Sequence, residues 1–200
     1  MPGARELMEL HSGSVRLRPL RRRDHSAWQQ LRRRNAAWLT PWEATAPDGD
    51  VPRSTFSAYV RRLNRAARQD RNYSFAVEYR GELVGQVTVA GVTRGSLLSA
   101  SVGYWISEHV AGRGIIPTAV ALVCDWCFTD LGLHRVEINI RPENAASLRV
   151  VAKLGFREEG VRKSFLHIQG QWADHRSFAL TAEEVGPGVL QRWLSTNPGP

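Results

Sequence analysis

Apolar positions along this chain switch between two periods, and each switch marks the edge of an element. Val15 and Leu17 alternate with Arg16 and Arg18, which predicts a strand over 15–20. From Asp24, a candidate helix cap, Trp28, Leu31, Asn35, Trp38 and Leu39 share one helical face, and Thr40 to Asp50 reads as a loop. A second helix over 54–69 carries Phe56, Val60, Leu63 and Ala67 on one side. Three strands follow at 73–79, 83–92 and 98–107, with hairpin turns at Arg80-Gly-Glu82 and around Thr93 to Ser96.

In the third of these strands Val102, Tyr104 and Ile106 fall on one face and Gly103, Trp105 and Ser107 on the other. The period then lengthens: Ile116, Ala119, Val120, Val123, Cys124, Cys127 and Phe128 form an apolar helical stripe. Val136 to Ile140 predicts a strand, Asn144 to Leu154 a helix ended by Gly155, and Phe156 to Ile168 and His175 to Leu180 the last strands. Val185 to Leu194 predicts a short terminal helix. There are no repeats. The order β-α-α-β-β-β-α-β-α-β-β predicts a mixed α/β fold, one sheet of six to seven strands with helices on both faces.

Two hundred residues with 42% hydrophobic content suffice for one well-packed domain, expected over 1–200 with a core of about 14–181 and flexible termini at 1–12 and 195–200. No apolar run is long enough to span a membrane and the first ten residues lack a signal-peptide core, so a cytoplasmic protein is expected. Cys124 and Cys127, three apart on a helix, suit neither a mutual disulfide nor a zinc site and read as buried free thiols; no metal is expected. The net charge of +8 resides in residues 1–80, where 16 arginines face 8 acids, while 81–200 balances. Arginines 21–23, 32–34, 61, 62, 65 and 68 cluster on predicted helices. Such clusters fit a solvated face, or a surface that recruits an acidic protein, RNA or a ribonucleoprotein particle.

The turn between the strand ending at Ser107 and the next helix carries the chemistry. Gly112 and Gly114 let the backbone bend tightly, and N–H groups from Val110 through Ala111, Gly112, Arg113 and Gly114 to Ile115 would lack intrahelical acceptors beside the positive end of the helix dipole. Such a nest binds a pyrophosphate, and Pro117 in the first turn removes a donor that would be unpaired anyway. A tight connection explains the same residues equally well. No Gly-x-x-x-x-Gly-Lys-Ser/Thr is present, and Gly112-Arg-Gly-Ile-Ile-Pro117 lacks the third glycine of the dinucleotide fingerprint.

Gly112-Arg-Gly114 after a strand, together with Asn144-Ala-Ala-Ser-Leu-Arg-Val-Val-Ala-Lys-Leu-Gly-Phe156 after the next, resembles the GNAT superfamily of acyl-CoA-dependent N-acyltransferases over about 14–181. Asn35-Ala-Ala-Trp-Leu-Thr-Pro-Trp-Glu43 and Gly170-Gln-Trp-Ala-Asp-His175 resemble the RimJ-like branch of the ribosomal-protein alanine N-terminal acetyltransferases. The resemblance implies a mostly antiparallel sheet splayed between the strand ending near Ser107 and Val136–Ile140, often at a bulge. It implies acetyl-CoA as co-substrate, with its pyrophosphate on the amides of 110–115, Arg113 near a phosphate, and its pantetheine along Trp105, Ile106 and Ser107. It places Asn144 on the pantetheine and Ser147 near the thioester sulfur. Asn144 and Ser147 also suit helix capping.

The implied reaction is direct attack of a neutral amine on the thioester, with an N–H near Ile106 stabilising the oxyanion and Ser147 protonating the thiolate. Leu166 stands where some relatives carry a glutamate, so Glu43 is the remaining candidate base, and Trp42, Glu43 and Tyr104 are candidate acceptor contacts. Tyr104 and His167 are further candidates for handling protons, although both lie in strands and fit the core or a sheet face. An α-amine of pKa about 8 is ~10% neutral near pH 7, whereas a lysine at about 10.4 is under ~0.1% neutral, so a missing base favours an α-amine. The expected acceptor is therefore a protein N-terminus, a ribosomal protein being one candidate. A small amine such as an antibiotic or polyamine is the alternative, and a non-catalytic acyl-CoA-binding or RNA-docking module a third. The expected state is a monomer or homodimer without membrane contact.

Overall fold

The computed structural model describes residues 8–48, 54–197 and 199–200. Strands β1 (Leu10–Ser12), β2 (Val15–Pro19), β3 (Tyr73–Tyr79), β4 (Glu82–Thr93), β5 (Ser99–Ile106), β6 (Arg135–Ile140), β7 (Arg157–Ile168) and β8 (Gln171–Thr181) form one sheet in the order β1-β2-β3-β4-β5-β6-β8-β7. All neighbours are antiparallel except β5 and β6. The sheet has eight strands because Leu10–Ser12, too short to show a period, pairs with the start of β2. The flexible N-terminus expected over 1–12 is therefore ordered at 10–12, and residues 1–7 lie outside the described residues. At the other end the last helix runs to Thr196, inside the stretch expected to be flexible.

Helices α1 (His25–Arg34), α2 (Ala36–Leu39) and α3 (Phe56–Arg68) cover one face, burying Leu31 and Val60 against Ala76 and Leu83. Helices α4 (Ile115–Thr129), α5 (Ala145–Leu154) and α6 (Val189–Thr196) cover the other, over the larger core that includes Phe75, Val87 and Ile138. The α4 stripe is a nearly all-round buried surface: Ile115 to Cys124, Trp126 and Cys127 are all buried. Its outer side is covered by α6, whose Trp193 Nε1 donates to Thr118 Oγ1 at 3.0 Å. Asp125 on α4 caps α6 from a distance, accepting from the N–H groups of Val189 and Leu190 at 2.7 and 3.0 Å. Cys124 and Cys127 are buried free thiols, and burial pushes both well above the usual thiol range.

Asp24 does not cap α1 with its side chain. Its carboxylate accepts from the N–H of Arg21 at 2.7 Å, closing the short 3₁₀ turn Arg22–Asp24, and from both ends of the Arg18 guanidinium at 2.8 and 2.9 Å. Arg18 also reaches the half-buried Glu78 at 2.6 Å, so an ion-pair triad around the buried Arg18 and Asp24 clamps the entry of α1 to β2 and β3. The single helix expected from Trp28 to Leu39 breaks at Asn35, whose buried amide turns inward. Thr55 caps α3 by accepting from the N–H of Ala58 at 3.2 Å. No helix among the described residues is long and apolar enough to cross a membrane.

Candidate active site

β5 and β6 pair only at Ser99–Ser101 with Arg135–Glu137, although β5 continues to Ile106 and β6 to Ile140. The splay needs no bulge in β5, which stays in register with β4 from Ser101 to Ile106; the irregularity in that pair lies between Ala90 and Thr93. A cavity of about 760 Å³ fills the gap. Because side chains alternate across a sheet, the gap has two halves. Tyr104, Ile106, Ile138 and Ile140 face α4 and α5. Trp105 packs with the α1 and α3 core on the other side, and Asn139 points the same way, accepting from Ser177 Oγ of β8 at 2.6 Å.

In the first half, Gly112 and Gly114 take positive φ of 81° and 80°. The expected cradle starts two residues later, because the N–H groups of Val110 and Ala111 already donate to Ser107 and Glu108 in a 3₁₀ turn. The N–H groups of Gly112, Arg113, Gly114, Ile115 and Ile116 make no hydrogen bond within the described residues. Five unpaired amides at a helix N-terminus form an anion nest, and side-chain-free Gly112 leaves it open. The Arg113 side chain turns back to donate to the His109 carbonyl at 3.2 Å.

The strand edge is narrower than expected. The N–H of Ser107 donates to Val84 on β4 at 2.7 Å, so by alternation Trp105 also directs its backbone to β4, while Ile106 directs its N–H and carbonyl into the gap. Consistently, Ile106 O accepts from Trp38 Nε1 at 3.1 Å. Ser107 is fully buried and lies outside the cavity: its hydroxyl donates to Asn35 Oδ1 at 3.0 Å, and Asn35 Oδ1 also accepts from the Glu108 N–H. Trp105 lines the cavity through its ring, on the face away from α4 and α5.

Across the gap, Asn144 Oδ1 accepts the Ser147 N–H at 3.0 Å, capping α5. This leaves Asn144 Nδ2 and Ser147 Oγ without partners among the described residues, both on residues that line the cavity. The Tyr104 hydroxyl donates to the Ser147 carbonyl at 3.4 Å, and burial holds the phenol well above its usual range, so it remains a donor. Tyr104 thus belongs to the half of the cavity facing α5.

The other half is lined by Trp38, Trp42, Glu43, Arg141, Leu166 and His175. Glu43 forms an ion pair with Arg32, whose guanidinium also lies 5.2 Å over the Trp105 ring. Arg141 pairs with Glu143 at 3.2 Å, donates to Pro41 O at 3.0 Å and lies 5.8 Å over Trp42. His167, which the sequence offered as a proton-handling group, bonds Thr45 Oγ1 at 2.8 Å and is absent from the lining. Trp38, Arg141 and His175 escaped the sequence reading because they converge only through the fold. Arg149 and Lys153, one turn apart on α5, line the cavity too.

The Acetyltransferase (GNAT) domain family model matches residues 14–157. RimJ of Mycobacterium smegmatis, solved in complex with CoA-disulfide, superposes with a TM-score of 0.87 at 37% identity over 95% of this chain and 93% of that one. The [Ribosomal protein uS5]-alanine N-acetyltransferase of Escherichia coli (strain K12) is 30% identical over 169 residues, 82% of this chain and 87% of its own. Spermidine N(1)-acetyltransferase from the same strain is 28% identical over 159 residues, 80% and 81% of the two chains. The unpaired amides of 112–116 and the open edge at Ile106 fit the anionic and amide-bearing parts of acetyl-CoA, and the chain belongs to the GNAT acetyltransferase family, enzymes that transfer an acetyl group from acetyl-CoA to an amine.

Proposed function

We propose that the acceptor is the N-terminal α-amine of a protein, attacking the thioester directly while both substrates are bound. The observation that carries this reading is that both carboxylates lining the cavity, Glu43 and Glu143, are already paired with arginines. A polycation such as a polyamine finds no free carboxylate there. An α-amine, partly neutral near pH 7, needs neither an acidic pocket nor a strong base. Similarity to an enzyme named for alanine at a ribosomal protein N-terminus supports the same reading.

Within this reading the amides of 112–116 hold the pyrophosphate, Asn144 Nδ2 holds the pantetheine, and the Ile106 N–H stabilises the developing oxyanion. The Ser147 hydroxyl gives its proton to the leaving thiolate. Trp42 borders the acceptor. Glu43 orients Arg32 over Trp105 and is not the base.

The arginine-rich helices flank the acceptor half. Arg22, Arg23, Arg33, Arg34, Arg61 and Arg65 are exposed and pair with no carboxylate among the described residues. They suit an acidic or ribonucleoprotein surface presenting the substrate. Thiol release from acetyl-CoA, measured with peptides beginning in Ala or Ser and with spermidine, tests the reading: turnover with the peptides supports it, and turnover with spermidine alone refutes it.

A further inference from the structure

We propose that His175 accepts the proton that leaves the attacking amine. This rests on the N-acetyltransferase reading and adds a catalytic residue to it.

His175 sits on β8, buried at 3% exposure, and what remains accessible of it faces the cavity. Its Nδ1 lies 3.0 Å from the Ala173 carbonyl oxygen. A carbonyl only accepts, so Nδ1 carries the proton and the neutral ring bears its lone pair on Nε2. Nε2 makes no hydrogen bond within the described residues, and no fully buried side-chain nitrogen or oxygen among them lacks a partner. Nε2 is therefore the accessible end of the ring, and it opens on the cavity.

The side of the sheet is the right one. His175 and Ser177 lie on one face of β8, and Ser177 bonds Asn139, so His175 shares the half opposite Tyr104 and Ser147. His175 shares the lining of one cavity with Trp42, Leu166 and Ile106, so an amine bound there lies within the space that Nε2 opens on. The Phe165 ring, 5.5 Å away and edge-on, fixes the imidazole plane.

The surroundings keep the ring neutral. Burial lowers the imidazole below its usual value; the bond to Ala173 works the other way, Arg141 adds to the lowering, and Glu143 and Asp174 oppose it. Arg162 is its cross-strand neighbour on β7, and Glu43 faces the same cavity from the loop after α2. In the step, the amine nitrogen bonds the thioester carbon, the C–S bond breaks, and the surplus nitrogen proton passes to Nε2. The thiolate leaves with a proton from the Ser147 hydroxyl, and the imidazolium returns its proton through solvent to the serine.

His175→Asn retains a donor for the Ala173 carbonyl but has no Nε2, and His175→Gln places an amide near the Nε2 position. Both are compared with wild type in kcat against pH, using whichever amine the wild type turns over, so that failure of the α-amine reading leaves this test intact. Coenzyme A affinity and melting temperature report that the fold persists. The expected result is a kcat about 100-fold lower in both variants, coenzyme A affinity within twofold, and loss of the second acid limb, below the ordinary imidazole range, that His175 adds in wild type to the amine's own titration near pH 8. A folded variant whose kcat stays within threefold of wild type, or which keeps that acid limb, overturns the proposal.

Discussion

The indole N–H of Trp38 donates to the carbonyl oxygen of Ile106 at 3.1 Å, tying α2 to the strand edge that faces the gap. That bond holds the Ile106–Ser107 peptide, the neighbour of the peptide that carries the Ile106 N–H. Trp38→Phe keeps the ring and loses the donor. A bond of about 1 kcal/mol corresponds to about fivefold in rate, so kcat is expected to fall by about that factor while coenzyme A binding is unchanged. Steady-state kinetics beside coenzyme A titration checks this.

Ser147 offers a clean separation of structure from chemistry. Its backbone N–H is capped by Asn144, and its hydroxyl has no partner among the described residues. Ser147→Ala keeps the cap and favours the helix, so the variant is expected to melt at or above the wild-type temperature. Its kcat should fall about 100-fold if the hydroxyl delivers the proton to the thiolate. Full turnover would remove the serine from the mechanism.

Gly112 tests the anion nest. A Cβ there meets nothing within 4 Å, so the cost of Gly112→Ala is the positive φ of 81° alone, roughly 1–2 kcal/mol. The amides lose their alignment, and the coenzyme A dissociation constant is expected to rise about tenfold in calorimetry, a change of about 1.4 kcal/mol.

Some of this was legible from the residues alone. The alternation of Val102, Tyr104 and Ile106 and the Gly112–Gly114 turn located the strand end and the helix N-terminus that border the gap, because strand parity and chain direction reversal are local properties. The backbone register was not legible: parity assigns side chains, but only pairing with β4 decides that Ile106, and not Trp105 or Ser107, opens on the gap. Asp125 caps α6 across more than 60 residues, a pairing that no local pattern signals. Glu43 is adjacent to Trp42 in sequence, yet its partner Arg32 comes from another helix, a pairing the local sequence does not show. His175 stood in the Gly170–His175 motif, but the face it occupies follows only from the pairing of β8 with β6, where Ser177, two residues on, meets Asn139.

The Arg18–Asp24–Glu78 triad carries a stability prediction. Burial works to raise the Asp24 carboxyl, but the hydrogen bonds from Arg18 and the Arg21 N–H outweigh it and hold it below the usual range. Asp24→Ala leaves a buried guanidinium with Glu78 alone, an expected loss of roughly 3–5 kcal/mol in denaturant unfolding. A lowered carboxyl stabilises the fold above its unfolded value of about 3.9 and loses that contribution as pH falls through the folded value. Wild type should therefore lose more stability than the variant on acidification below about pH 4.

The α-amine reading is tested most directly by offering one peptide with two amines, an N-terminal alanine and an internal lysine, and locating the acetyl group by mass spectrometry. The account predicts acetylation at the alanine nitrogen, with none at lysine even when the N-terminus is blocked. Modification of the lysine Nζ at a comparable rate would contradict it.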